Sequence, residues 1–167
     1  MEAQSTKVIT GKVRFCYCNV FEPTAMQEGQ EKKYNIAILI DKSDTVTLGK
    51  VNAAIEAAKI ASGDKLKDKN GKYPANLKLP LRDGDVDRSD DEAFAGKMFI
   101  NANSLRKPQI VDPELNEIMS KDEFYAGCYG RASINFYAFN VAGSKGIAAG
   151  LNNLQKTEEG ERLAGDR

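Results

Sequence analysis

Two long runs in the last third of the chain constrain the fold more than any other feature, because they are built to pair as a hairpin. Gly127 to Phe139 and Lys145 to Lys156 are rich in strand formers, and Asn140-Val141-Ala142-Gly143-Ser144 joins them at ordinary hairpin length. By period two, Cys128, Gly130, Ala132, Ile134, Phe136 and Ala138 share one side, a small-to-apolar set that fits a barrel interior. Tyr129, Arg131, Ser133, Asn135, Tyr137 and Phe139 share the other. Glycines at 127, 130, 146 and 150 permit sharp coiling, so the expected class is mainly β, a small closed or half-closed barrel.

The rest of the chain supplies further strands and a single strong helix signal. Val8 to Phe21 is β-rich, with Gly11 allowing a bend; Val13, Phe15, Tyr17, Asn19 and Phe21 alternate with Arg14, Cys16, Cys18 and Val20. Either set can face inward, so Phe15 and Tyr17 are read as buried or as surface aromatics. Glu22 to Glu31 reads as a loop and Lys33 to Ile40 as a strand. Ser43 or Asp44 offers an N-cap for a helix over Thr45 to Ala61, whose Val51, Ala54, Ile55 and Ala58 form an apolar stripe and whose end suits Gly63. Asp64 to Arg88 reads as extended loop with a short apolar piece at Leu77 to Leu81. Lys97 to Asn103 is a strand, Ser104 to Pro113 a loop with a short edge strand, and Pro113 to Phe124 a helical turn.

Composition removes much catalytic chemistry. A chain of 167 residues without histidine has no serine–histidine or cysteine–histidine pair and few routes to a catalytic zinc site. Three cysteines, two of them as Cys16-Tyr17-Cys18, form neither a disulfide framework nor a CxxC zinc site, and read as small buried residues in a reducing compartment. With no apolar run of bilayer length and no leader pattern, a soluble, cytoplasmic protein is expected. Lys plus Arg and Asp plus Glu both number 24. Their distribution is uneven: 69–82, 93–111 and 127–157 contain no acid, whereas six acids fall between Asp83 and Glu92. A neutral total can thus hide a basic face suited to a polyanion, or merely reflect acidic loops.

The outer face of the 128–139 strand is unusual in its chemistry. Three aromatics, an Arg, a Ser and an Asn are what single-stranded nucleic acid requires: rings for base stacking, a cation for phosphate, and amide or hydroxyl groups for polar edges. The competing reading covers these aromatics with a helix, a loop or a second subunit. The run Asp83-Gly-Asp-Val-Asp-Arg-Ser-Asp-Asp-Glu92 raises a calcium loop or a metal-dependent nuclease. Arg88 stands where an EF-hand needs Gly, and Phe94 where it needs Glu, which favours a solvated acidic loop. No P-loop spacing is present, and the 45–61 helix reads as a barrel cap rather than a recognition helix.

Several stretches resemble one family. They are Gly11-Lys-Val-Arg-Phe, Asn19-Val-Phe-Glu-Pro, Leu77-Lys-Leu-Pro-Leu-Arg-Asp-Gly-Asp, Asn101-Ala-Asn-Ser, Arg106-Lys-Pro, Leu151-Asn-Asn-Leu-Gln and, most specifically, Phe124-Tyr-Ala-Gly-Cys-Tyr-Gly-Arg-Ala-Ser-Ile-Asn-Phe-Tyr-Ala-Phe followed by Gly146-Ile. In order and spacing they resemble the tailed-bacteriophage and prophage single-stranded DNA-binding proteins of the OB-fold type, over nearly the whole chain. The resemblance implies an OB-fold-like β-barrel with one main helix and extended loops over 1–157, and a C-terminal tail over 158–167. It implies coating of single strands in replication, recombination or repair, with little sequence preference and no cofactor, metal or membrane. Such proteins commonly end in an acidic tail that contacts phage or host replication proteins. Here the chain stops at Gly165-Asp-Arg167, so the tail is either truncated or lacks that role. From the residues, the DNA-binding groove is expected to centre on Tyr129, Arg131, Tyr137 and Phe139. Arg14 or Tyr17 would contribute from the first strand, Arg106 and Lys107 at the rim, and Lys145 from the hairpin. A metal-dependent nuclease acting through 83–92 and a phage structural subunit remain as alternatives, and homodimer formation is left open.

Overall fold

The structure is a computed structural model that describes residues 6–24, 29, 31–141 and 144–163. Its strands are β1 (Lys7–Ile9), β2 (Val13–Thr24), β3 (Lys33–Asp41), β4 (Leu81–Asp83), β5 (Lys97–Ser104), β6 (Gln109–Val111), β7 (Tyr129–Val141) and β8 (Ser144–Glu158). Five of them close a ring. β2 pairs with β3, β3 with β5, β5 runs parallel to β8, β8 pairs with β7, and β7 returns to β2 through Val13↔Gly130 and Arg14↔Tyr129. A five-stranded ring closed by one parallel pair is the OB-type barrel that the hairpin and its glycines predict.

The barrel is filled from alternate positions. Phe15, Ile36, Ile38, Ile40, Ile100, Ala132, Ile134, Phe136, Ile147, Ala149 and Leu151 are buried together, as period two requires of strands with one inward face. The helix α1 (Thr45–Ala61) closes one end. Asp44 caps it by accepting from the Thr47 N–H at 3.1 Å, and Val51, Ala54, Ile55 and Ala58 join the core. The expected single first strand is broken at Gly11, where the helix start comes close: the Gly11 N–H donates to Thr47 Oγ1 at 3.2 Å. Thr10 bridges the break, its N–H donating to the Ala132 carbonyl and its hydroxyl accepting from the Ala132 N–H.

A second, smaller cluster lies on the outer side of β2, β3 and β5. Cys16, Ala37, Leu39, Phe94 and Phe99 pack there beneath α2 (Gly84–Asp87) and a 3-10 turn (Glu92–Phe94). The run read as a solvated acidic loop thus contains a short helix. Its carboxylates serve the fold: Asp83 accepts from the Asp85 N–H, Asp91 from the Ala93 N–H, and Lys42 lies 2.8 Å from Asp83 and 2.7 Å from Asp85. Hydrogen bonding to Lys42 holds both Asp83 and Asp85 below the usual carboxylate range.

Three further expectations are corrected. The loop placed at Glu22 to Glu31 begins later, because β2 continues to Thr24; most of the remainder lies outside the described residues. Pro113 to Phe124 contains turns and no helix. Asp112 Oδ1 accepts from the N–H groups of Glu114 and Asn116, Leu115 takes φ +70°, and the chain folds back so that Ile118 N–H reaches the Ile110 carbonyl at 2.7 Å. That side-chain turn outcompetes a helix start. The hairpin connection is tighter than expected, since Val141 already pairs with Ser144; residues 142–143 lie outside the described residues. The three cysteines are free, Cys16 and Cys128 buried and Cys18 half-buried. Burial pushes the Cys16 and Cys128 thiols up to about 11.

Candidate nucleic-acid interface

The part of the outer β2–β3–β5 face that α2 leaves uncovered is a cleft of about 670 Å³. Strands β3 and β5 supply its floor. Because Ile36, Ile38, Ile100 and Ala102 point into the barrel, Asn35, Asn101 and Asn103 occupy the outward positions. Asn19 pairs with Asn35, and Asn35 with Asn103, which places three amides in one row across the strands. Asn19 donates to Asn35 Oδ1 at 2.9 Å, and Asn35 donates to Thr24 Oγ1 at 2.9 Å. Among the described residues, Asn101 and Asn103 carry no side-chain hydrogen bond, so their donors and acceptors are available to a ligand.

Tyr17 and Arg88 form one end of this cleft. Between Cys16↔Ala37 and Asn19↔Asn35 the strand β2 advances three residues while β3 advances two, which is a bulge with one extra residue. Tyr17 sits in it at φ +49°, a left-handed conformation that is uncommon for a tyrosine. The bulge reverses the alternation. Phe15 is fully buried and Tyr17, two residues on, is 38% exposed, so neither reading of this strand as one regular run survives. The Arg88 guanidinium lies 5.5 Å from the Tyr17 ring centroid and 5.3 Å from that of Phe94. The Tyr17 hydroxyl is 3.4 Å from Asp91, and partial burial, helped by the neighbouring Cys16 and Asp91, pushes its pKa up. The ring therefore stays neutral at ordinary pH.

Lys33 and Glu31 line the other end of the cleft. Beyond them, Lys107 lies over the Phe21 ring at 5.1 Å, and Arg106 is exposed on the turn that leaves β5.

The structure separates the nine residues singled out in the sequence. Tyr17 lines the cleft, with Arg106 and Lys107 on the turn after β5, whereas Tyr129, Arg131, Tyr137 and Phe139 project from β7, with Lys145 across the hairpin. Tyr129 is half-buried. Lys12 and Arg14 lie 5.1 and 5.3 Å from its ring centroid, and the segment after β8 passes so close that a Cβ on Gly160 would lie 2.8 Å from the ring. Phe139 is half-buried against Gly146, and Lys145 Nζ donates to the Lys67 carbonyl at 3.1 Å. Arg131 is exposed, and Tyr137 is 42% exposed.

Arg14 has a structural task. It donates to the carbonyls of Gly127 at 3.1 Å and Glu161 at 2.8 Å, tying the C-terminal segment to the barrel. Arg14→Ala is expected to lower stability by about 2 kcal/mol, since charged hydrogen bonds contribute about that much. Urea unfolding measures the loss, and single-strand affinity of the folded variant should stay at the parent value.

Residues 6–167 match the model of a family described as "Enterobacter phage Enc34, ssDNA-binding protein". The chain belongs to this family. Protein p50 of Acyrthosiphon pisum secondary endosymbiont phage 1 is 30% identical over 166 residues, covering 95% of this chain and 87% of that relative. Among solved structures, the C-terminally truncated single-stranded DNA-binding protein from bacteriophage Enc34 superposes with a TM-score of 0.79 at 25% identity, over 95% of this chain and 88% of the other. The Enc34 protein in complex with ssDNA gives 0.76 at 25% identity, over 95% and 90%. As a member of the Enc34 family, the chain has the fold of these proteins.

Sequence reasoning missed Asn19, Asn35, Asn101, Asn103, Lys33 and Arg88 as cleft residues. A signal was present for three of them. Asn is depleted in strands, yet Asn35, Asn101 and Asn103 stand at outward positions of two central strands, where a merely structural face would carry Thr or Val. Arg88 had no such signal, because only the packing of α2 brings it to Tyr17.

Proposed function

We propose that this chain binds single-stranded DNA through the β2–β3–β5 cleft, with Tyr17 stacking a base, Arg88 and Lys33 meeting phosphates, and Asn101 and Asn103 hydrogen-bonding to bases or sugars. The observation that carries this reading is the position of the cleft. It lies on the face formed by the second and third barrel strands, where OB folds take up oligonucleotides. Membership of the Enc34 family supports single-stranded DNA as the ligand, since the Enc34 protein was solved in complex with ssDNA. Arg106 and Lys107 extend the cation supply along the same side.

The role is coating and protecting single strands during phage replication, recombination or repair, in the cytoplasm of the bacterial host. The protein works by binding rather than by catalysis. The carboxylates at 83, 85, 87 and 91, the most acid-rich place in the chain, are engaged with Lys42, Arg82 and backbone N–H groups, which speaks for scaffolding rather than metal-dependent cleavage.

A gel shift of oligo(dT) against duplex DNA over a salt series tests this. With four cations meeting phosphates, the slope of log affinity against log salt should be about −3, or about 50-fold between 50 and 200 mM. The single strand should be retained preferentially and recovered intact after incubation with magnesium. Salt-independent binding, or cleavage lost on replacing Asp83 and Asp85, would overturn the reading.

A further inference from the structure

Gly127, Gly130, Gly146 and Gly150 lie in or beside the β7–β8 hairpin, and the first three are required by the backbone. A Cβ on Gly127 would collide with Glu161, on Gly130 with Gln155, and on Gly146 with Lys78, in each case with main-chain atoms. Gly150 differs. Its φ lies outside the left-handed region, and the nearest atoms to a Cβ there would be the Asn135 carbonyl oxygen and the Tyr137 ring, both at an ordinary 3.5 Å. Nothing in the barrel demands glycine at this position, and a strand interior is weakened by it.

What Gly150 does is visible from its neighbours. It pairs with Asn103 of β5 on one side and with Asn135 of β7 on the other. The row Asn19–Asn35–Asn103 therefore continues over a residue without a side chain and reaches β7. There the Tyr137 ring, 42% exposed, lies against the Gly150 position. From Asn103 to β7 is two strand spacings, about 10 Å. Any side chain at 150 would stand as a post between the cleft and that ring.

We infer that Gly150 is a gap in the barrel wall through which the bound strand leaves the cleft and places a further base on Tyr137. This rests on the cleft being the primary site. It adds a second stacking position on β7, with Gly150 kept bare so that the DNA backbone can approach β8 closely. Tyr129 takes no part, because Lys12 and Arg14 lie over its ring.

The test uses the full chain and two oligo(dT) probes, one of about four nucleotides that fills only the cleft and one of about twelve that can reach Tyr137. Gly150→Val and Tyr137→Ala should each weaken the longer probe by about tenfold and leave the shorter one unchanged. Gly150→Ala controls for folding, and its melting temperature should equal or exceed that of the parent. The inference is overturned if Gly150→Val and Tyr137→Ala leave both probes unaffected, or if they weaken both equally. Tyr17→Ala then separates the two levels: weakened binding of both probes preserves the cleft and removes only the extension, whereas unchanged binding removes the cleft as well.

Discussion

Replacing Tyr17 and Arg88 together with alanine should weaken oligo(dT) binding by roughly 100- to 1,000-fold at low salt. A stacked base contributes about 1 to 3 kcal/mol, and a guanidinium set against that ring adds a cation for phosphate, so the pair accounts for about 3 to 4 kcal/mol. The two effects should not simply add, because Arg88 lies over the Tyr17 ring at 5.5 Å and removing one displaces the other. Anisotropy of a labelled oligonucleotide is the suitable measurement, since it does not depend on tyrosine emission. A control separates binding from folding. Tyr17 adopts φ +49°, so Tyr17→Gly relieves backbone strain of about 1 kcal/mol while removing the ring. That variant should still unfold cooperatively and still bind weakly, which assigns the loss of affinity to the ring and not to unfolding. Tyr129→Ala serves as the opposite control, with affinity near the parent. A large loss there, with none at Tyr17 and Arg88, would return the site to β7.

The contrast between these tyrosines shows what the amino-acid pattern carries and what it does not. Elements with a local cause were legible: α1 from its Asp44 cap and apolar stripe, β3 from Tyr34 to Ile40, and the inward set of β7 from Cys128 to Phe136. Elements decided by a competing local interaction were not. The Asp112 side chain turns the chain where a helix was expected, and one extra residue at Tyr17 sends Phe15 and Tyr17 to opposite faces. The site was half legible. Of the residues singled out, Tyr17 lines the cleft together with Arg88 and the asparagines, whereas the aromatic-rich strand β7 lies apart from it. Closure of the barrel brings Lys12, Arg14 and Gly160 over Tyr129, and α2 carries Arg88 across to Tyr17. Both depend on contacts between residues at least 31 positions apart, which period two does not encode.

That closure rests on a narrow seam, and Phe15→Ala should expose it. β2 and β7 share only the pairs Val13↔Gly130 and Arg14↔Tyr129, extended by Phe15 N–H to the Cys128 carbonyl at 3.0 Å and Gly127 N–H to the Phe15 carbonyl at 2.7 Å. Side-chain packing must therefore hold the ring shut. Phe15 is fully buried, with its ring centroid 5.1 Å from that of Phe124, and Val20, Ile36 and Ile38 are buried in the same core. Truncation to alanine should cost about 3 to 5 kcal/mol, against a total stability of about 5 to 15 kcal/mol usual for a domain. The melting temperature should fall by about 10 to 15 °C, given the entropy of unfolding at this chain length. Urea unfolding should show a lower midpoint with an unchanged slope, because the same surface is exposed on unfolding. Phe15→Leu, which keeps most of the volume, should lose only about 1 to 2 kcal/mol. DNA binding distinguishes a core role from a contact role. Phe15→Leu should bind as the parent does, since the side chain points away from the cleft that Tyr17 faces. A Phe15→Ala loss below about 1 kcal/mol would mean that the β2–β7 seam does not depend on this aromatic pair.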